Sequence, residues 1–187
     1  MNLNQIIIDL SKSSIESLQK VADCGAKQIK TYEINCNLLE DYNNVDIRNS
    51  EKFKELFSDI ITITGPALYF FEITSNHSSN NVVENIYKYT NLENSKKTPA
   101  VKKKIPASTC LYVGKTKKHM WGRLIQHFGF YRVNSTQGLQ LYYWAKDISL
   151  KLQLTVIEFE PDMSNLLVIL EKDLAFKLNP ILGKHKI

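Results

Sequence analysis

The stretch CLYVGKTKKHMWGRLIQHF (Cys110–Phe128) predicts a strand, a turn and a helix in direct succession. Residues 111–114 are apolar and favour a short strand that ends at a glycine. Apolar residues at helical spacing then run over residues 120–128 and stop at a second glycine. This one unit carries a tyrosine, three lysines, an arginine and two histidines. Side chains of these types, gathered in one place, favour an anionic ligand.

The flanking sequence predicts further elements on both sides of this unit. Within residues 62–73, an approach loop broken by Gly65-Pro66 is followed by a predicted strand, and apolar and β-branched patterning predicts further strands over residues 139–145 and 150–159. Helices are predicted over about residues 13–25, 50–57, 83–89 and 164–178. Apart from the third of these helices, the order from residue 62 onward is strand, strand, helix, strand, strand, helix. We therefore predict an α+β fold, with a small central antiparallel sheet flanked by helices.

The chain has 187 residues, enough for one domain and an extension. We predict an N-terminal, mainly helical extension over residues 1–60. The main domain then covers residues 61–187, with a Lys-rich insertion at about residues 75–109 between its first two strands. Three cysteines without a CxxC pair, no signal-peptide pattern and no apolar stretch of membrane-spanning length lead us to expect a cytoplasmic protein with no membrane partner.

Charge is distributed unevenly along the chain. The formal net charge is +5, yet residues 1–60 carry seven Lys/Arg against ten Asp/Glu, while residues 61–187 carry seventeen against nine. Residues 94–146 contain eleven Lys/Arg and no carboxylate. Solvated surfaces usually intersperse both signs of charge, so this tract indicates an anionic partner.

An acidic residue interrupts the apolar stripe of the last predicted helix. Glu171 has Leu167 and Leu174 on one side of it and Val168 and Ala175 on the other. Because burying an unpaired carboxylate costs several kcal/mol, this side chain must be paired, protonated or bound to a metal. A buried Arg–Glu pair and a stripe with an open edge are the two structural alternatives to a functional role.

Four more side chains are candidates for chemistry. Arg123 and His127 are four residues apart and share one helix face. A guanidinium binds phosphate through two N–H groups, and a neutral imidazole can take a proton or orient water. Tyr69 and Tyr112 occupy comparable places in the first two strands, where packing is the alternative role. The lysines that fit either a phosphate-contacting track or a solvated face are Lys102, Lys103, Lys104, Lys115, Lys117 and Lys118.

Together these residues resemble the GIY-YIG nuclease family. The two signature elements correspond to Ala67-Leu68-Tyr69 and Tyr112-Val113-Gly114. The helix arginine of the family is matched by GRLIQH (122–127), and its later glutamate by LEKDLAFKLNP (170–180). The resemblance covers about residues 64–187. Alanine stands in place of the first signature glycine, and the linker between the signatures is longer than in compact members.

The resemblance implies a Mg²⁺-dependent (or Mn²⁺-dependent) endonuclease with one metal ion per active site. It would hydrolyse phosphodiester bonds of DNA, double-stranded in the simplest case, as restriction and other defence nucleases do. Glu171 would hold the metal, Arg123 would neutralise charge on the scissile phosphate, Lys115 would lie near that phosphate, and Asn179 would fix the helix end behind the site. The candidates for the general base are Tyr69, Tyr112 and His127. A homodimer would bring two such sites to two strands.

Two other functions remain open from the sequence. One is a non-catalytic nucleic-acid-binding module on the same fold, with a basic face that grips the phosphate backbone. The other is a structural or protein-interaction domain. A purely binding module has no evident use for Glu171, so we favour the nuclease.

Overall fold

Within residues 2–47, 50–133 and 135–184, which the computed structural model describes, the helices surround one antiparallel sheet. The helices are α1 (Leu3–Cys24), α2 (Lys54–Ile60), α3 (Ser79–Thr90), α4 (Met120–Phe128), α5 (Leu141–Trp144) and α6 (Leu167–Leu178). The strands are β1 (Gln28–Asn35), β2 (Ala67–Ile73), β3 (Cys110–Thr116) and β4 (Lys151–Glu158). Residues 185–187, the end of the predicted main domain, lie outside the described residues.

The strands are ordered β1-β4-β2-β3, and every neighbouring pair is antiparallel. β2 pairs directly with β3, with Tyr69 opposite Gly114, so the Lys-rich insertion connects two adjacent strands. β4 lies on the other side of β2 and places Glu158 opposite Ala67. The predicted α+β class, with its central antiparallel sheet and flanking helices, is confirmed.

The N-terminal region contributes a strand that the sequence did not predict. β1 pairs along its whole length with β4, so the prediction of a mainly helical residues 1–60 is wrong for residues 28–35. Three of the four inward positions of β1 are Gln28, Lys30 and Tyr32, and these polar groups hide the apolar alternation that identifies a strand. Residues 36–63 then supply part of the main core, including Leu39 and Ile60.

The strand predicted at residues 139–145 is wrong, because this segment forms the helical turn α5. Gln140 has a φ of 57°, a left-handed conformation that ends any extended run. Leu141 and Trp144 are buried three residues apart, which is the spacing of a helix face. The indole Nε1 of Trp144 donates to the Leu139 carbonyl at 2.8 Å and holds the turn against the loop.

The remaining predicted elements are present. α4 covers the predicted residues 120–128, and β2, β4, α2, α3 and α6 overlap their predicted ranges. α1 begins ten residues earlier than predicted, where the Asn2 side chain accepts a hydrogen bond from the Gln5 amide. Among the described residues, no helix is both long and apolar enough to cross a membrane.

The two faces of the sheet carry different layers. The larger core lies on the face that β2 presents through Tyr69 and Phe71, against α4, α3 and α5. α6 packs on the opposite face, where Ala175 contacts Val113 of β3. β3 is at the edge of the sheet, so residues from the layers on both faces can approach each other beside this strand.

The C-terminal segment secures the Lys-rich insertion along the β3 edge. The amides of Ile181 and Leu182 donate to the carbonyls of Cys110 and Leu111, each at 2.9 Å. On the other side of this segment, Lys102 donates its amide to the Ile181 carbonyl at 3.2 Å. Part of the insertion is therefore held in place beside β3, next to the candidate site.

Candidate active site

The centre of the candidate site is the hydroxyl of Tyr69, which lies over Gly114 at the edge of the sheet. A β-carbon built at Gly114 would lie 2.5 Å from the Tyr69 hydroxyl oxygen, so the glycine leaves the space that the phenol occupies. The Tyr112 ring lies beside it, with the two ring centres 6.3 Å apart. Tyr69 and Tyr112 therefore meet at the same edge of the sheet.

The Tyr69 hydroxyl is held by both α4 candidates. Arg123 donates from Nε to the hydroxyl oxygen at 3.1 Å, and His127 Nε2 lies 2.9 Å from it. The residues are four apart on one helix face, as the sequence predicted, and that face points at the sheet edge. The structure therefore brings Tyr69, Tyr112, Arg123 and His127 together; their catalytic roles stay predictions.

A backbone amide fixes the proton on His127. The Leu139 amide donates to Nδ1 at 3.1 Å, so Nδ1 is the unprotonated nitrogen. The neutral ring then carries its proton on Nε2 and donates it to the Tyr69 oxygen. That oxygen accepts two hydrogen bonds, and the Tyr69 proton is left for a third group. In this arrangement His127 has no free lone pair and orients Tyr69 instead of acting as a base.

Arg123 is held by two further oxygens. Its Nη1 lies 2.8 Å from Gln126 Oε1 and 2.8 Å from the Gln137 carbonyl, and it donates to both. The half-buried guanidinium is thus fixed in one orientation. Gln137 also lines a cavity of about 190 Å³ that opens between Tyr112 and Lys184, with space for a phosphate-sized group.

Burial and charge set the protonation states of this cluster. Burial first, and then the Arg123 charge, lower the pKa of His127 well below its usual value. Burial raises the pKa of Tyr69, with Tyr112 and Glu171 acting in the same direction and Arg123 opposing them. At neutral pH the cluster is therefore a neutral imidazole and a neutral phenol beside a charged guanidinium.

The buried neutral His127 makes stability depend on pH. Above about pH 6.5, the usual histidine pKa, the ring is neutral in both the folded and unfolded states and contributes no pH dependence. As pH falls below this value, the unfolded chain takes up a proton that folded His127 does not. The free energy of unfolding should then fall by up to about 1.4 kcal/mol per pH unit.

Urea denaturation of the wild type and of His127→Gln between pH 7 and pH 5 checks this expectation. The variant should be less stable at pH 7, because the Leu139 amide and the Tyr69 oxygen lose their partner, and it should depend less on pH. Parallel curves for the two proteins would contradict a neutral, buried histidine.

Glu171 approaches the site from the other layer and forms an ion pair with Lys115. The side chain of Glu171 is 14% exposed and that of Lys115 is 36% exposed. Lys115 directly follows Gly114 on β3, and the Glu171 charge contributes to the raised pKa of Tyr69. Both observations place the carboxylate near the tyrosines. Glu171 is thus a paired acid on the packed face of α6. The sequence left a buried Arg–Glu pair as one alternative to a functional role, but the observed partner is a lysine.

The chemistry around Glu171 fits a hard divalent cation held by a single protein ligand. Mg²⁺ commonly keeps several waters and binds one or two carboxylates together with substrate phosphates. Among residues 2–47, 50–133 and 135–184, no group of three or more His, Cys, Asp or Glu side chains is arranged to hold a metal ion. A metal ion held by Glu171 would therefore take its other ligands from phosphate oxygens and water. In the absence of a metal ion, the Lys115 ammonium neutralises the Glu171 carboxylate.

Apart from Lys115, the predicted lysines divide into two groups. Lys102 donates to Asn179 Oδ1 at 2.9 Å, and Lys117 donates to Asn165 Oδ1 at 3.0 Å. The other group, Lys103, Lys104 and Lys118, is exposed. Asn179 ends α6 in a left-handed conformation with a φ of 47°, and it connects this helix end to the insertion.

Sequence reasoning missed a second buried acid, Glu158. It continues the inward alternation of Leu152, Leu154 and Val156, so the pattern did contain the signal. Its carboxylate accepts from the Gly65 amide at 2.8 Å and from Gln28 Nε2 at 2.5 Å, and its pKa is lowered. Glu158 thereby holds the turn that leads into β2. The backbone groups of Leu139 and Gln137 were also missed, and no side-chain pattern marks them.

The geometry defines a class of site: a polar cluster at a sheet edge, with a fixed cation, a paired acid and two phenols. Comparisons of this chain with protein-family models, with curated proteins and with solved structures found no match.

Proposed function

We propose that this protein is a metal-dependent endonuclease that hydrolyses DNA phosphodiester bonds, with a fold and site similar to those of the GIY-YIG nucleases. The observation that carries the proposal is the hydrogen-bonded cluster at the β3 edge. Arg123 and His127 both donate to the Tyr69 oxygen, and Tyr112 lies beside them. A purely structural cluster would not require a half-buried guanidinium that is fixed to Gln137, a residue that lines a cavity together with Tyr112.

The charges around the cluster favour a phosphodiester as substrate. Arg123 is protonated and fixed, so it can stabilise the extra negative charge that develops on a phosphate during hydrolysis. The exposed Lys103 and Lys104 lie on the insertion that is held beside β3, and Lys118 lies in the turn after β3. Contacts of this type follow a nucleic-acid backbone without reading its sequence.

We assign each residue a proposed role from its contacts. Glu171 would hold Mg²⁺, which when bound supplies Lewis-acid stabilisation of the phosphate. His127 positions Tyr69, because both of its ring nitrogens are used. Tyr112 is half-buried and lines the cavity, so its oxygen is the better placed of the two phenols to orient an attacking water. Release of Lys115 from Glu171 would free its ammonium for the phosphate.

A digest of supercoiled plasmid tests the proposal. We expect nicked and linear products with Mg²⁺ or Mn²⁺, and none with EDTA. Short duplex, single-stranded and branched DNA should be included, together with RNA, because the target is unspecified. Intact substrates under all of these conditions would contradict a nuclease.

The competing function is a nucleic-acid-binding module without catalysis. It is favoured if the protein binds DNA with a salt-dependent affinity that metal does not change and releases no product. Weak, salt-insensitive DNA binding would instead favour a structural or protein-interaction domain.

A further inference from the structure

Helix α1 carries an apolar face that continues beyond the body of the protein. Residues 3, 7, 10, 14, 17 and 21 are spaced alternately by four and three, which is the repeat of a helix-pairing seam. The C-terminal part of this seam is covered, because Val21 packs near Phe159 and the buried Ser17 donates to Asp162 at 3.2 Å. The seam therefore faces the body at one end of the helix.

The N-terminal part of the same seam is exposed. Leu3 is 62% exposed, Ile7 60% and Leu10 65%, and Ile6 beside them is 38% exposed. Residues 3–14 thus form an overhang of three helical turns. A lone helix of this length is marginal in water, and a run of three serines at positions 11, 13 and 14 does not strengthen it. A partner on the apolar face would stabilise the overhang.

We propose that a second copy of this chain is that partner, and that the two overhangs pair as antiparallel helices. In this register Ile7 meets Leu10 of the other copy, and Leu3 meets Ser14. Each overhang is then covered over its whole length, and each body begins just beyond the end of the other helix. The interface is isologous, so it closes as a dimer.

The distribution of charge on the overhang favours a second copy of the same helix over a lipid surface as the partner. The positions that flank the seam are Asn4, Ile6, Ser11 and Ser13, so two copies can approach without repulsion. The charged residues Asp9, Lys12 and Glu16 lie on the other side of the helix. A helix that lies on a lipid surface usually has a polar face rich in Lys and Arg, and this face carries more acids than bases.

The contact is small, so the dimer should be weak. A pair of three-turn helices falls below the roughly 1,200 Å² that is typical of stable complexes. We expect a dissociation constant in the micromolar range, and sedimentation velocity of the full chain from about 1 to about 100 µM covers it. A monomer throughout this range would overturn the proposal. The measurement requires no enzymatic activity, so its result tests the dimer independently of the proposed nuclease function.

Charge substitutions test the face. Ile7→Glu places an acid against the apolar layer in both copies, and we expect at least about a 100-fold rise in the dissociation constant while the body of the protein keeps its cooperative urea unfolding. Ile8→Glu is the matched control, because Ile8 is 45% exposed on the same helix but lies off the seam. Equal dissociation by both substitutions would overturn the proposed face.

Cysteine cross-linking tests the direction. In a Cys24→Ser background, which removes the exposed native thiol, a mixture of Ile7→Cys and Leu10→Cys chains should form a disulfide on oxidation, while neither chain alone should. Cross-linking of Ile7→Cys with itself would indicate parallel helices and overturn the arrangement. Binding to phospholipid vesicles that Ile7→Glu abolishes, by a protein that is monomeric in solution, would assign the face to a membrane instead.

Discussion

Glu171→Gln is expected to lower the rate of plasmid cleavage by at least about 1,000-fold, because it removes the proposed metal ligand while keeping the shape of the side chain. The fold should survive. The carboxylate is 14% exposed and Lys115 is 36% exposed, so the freed ammonium can turn to water. The stability loss should be about 1 kcal/mol or less after allowance for solvent screening. Cleavage of supercoiled plasmid with Mg²⁺ and thermal unfolding are the two measurements.

Two further variants separate the loss of the acid from the loss of its ion pair. Lys115→Met breaks the same pair but leaves the carboxylate, so it should cleave faster than Glu171→Gln. Asp173→Asn removes an exposed acid two residues further along α6 and should cleave like the wild type. If Glu171→Gln retains activity within about 10-fold of the wild type, this residue is not the metal ligand.

The sequence predicted well those elements that bury one face, because their apolar residues then recur at the spacing of a helix or a strand. α4 is amphipathic, and its predicted and observed ends agree. The alternation of β4 is equally regular. β1 escaped prediction because Gln28 and Lys30 occupy its inward positions, where they bond to Glu158 and Asp59 across the fold. Such partners are set by the tertiary structure, so the local pattern does not reveal them.

In the candidate site, too, the sequence predicted what depends on local spacing and missed what depends on tertiary contacts. Helical spacing alone placed Arg123 and His127 on one face and Glu171 within a packed stripe. The sequence could not show that the Leu139 amide fixes the His127 tautomer, because every residue except proline carries the same donor. The pairing of Glu171 with Lys115 depends on α6 crossing β3, a long-range contact. The general base was left open among three residues, and only the hydrogen bonds argue against His127.

A β-carbon at Gly114 is expected to disrupt the site directly. It would lie 2.5 Å from the Tyr69 oxygen, 2.6 Å from its Cζ and 2.8 Å from Tyr112 Cε1. Tyr69 is fully buried and held by Arg123 and His127, so it has little room to yield. Gly114→Ala should therefore lower the free energy of unfolding by about 1–3 kcal/mol. Displacement of the phenol should lower cleavage by about 100-fold or more.

Gly122→Ala is the matched control, because the residue is inside α4 and its added β-carbon would have no atom within 4 Å apart from the neighbouring backbone of its own helix. This change should raise stability by up to about 1 kcal/mol and leave cleavage unchanged.

Adding Tyr69→Phe to Gly114→Ala removes the oxygen nearest the new methyl group, so the double variant should be more stable than the sum of the two single changes predicts. Urea denaturation of the four proteins measures this coupling even in the absence of a substrate. Strict additivity, or a Gly114→Ala protein with wild-type stability, would mean that the Tyr69 phenol is not packed against the β3 edge, and the cluster that supports the nuclease proposal would lose its central contact.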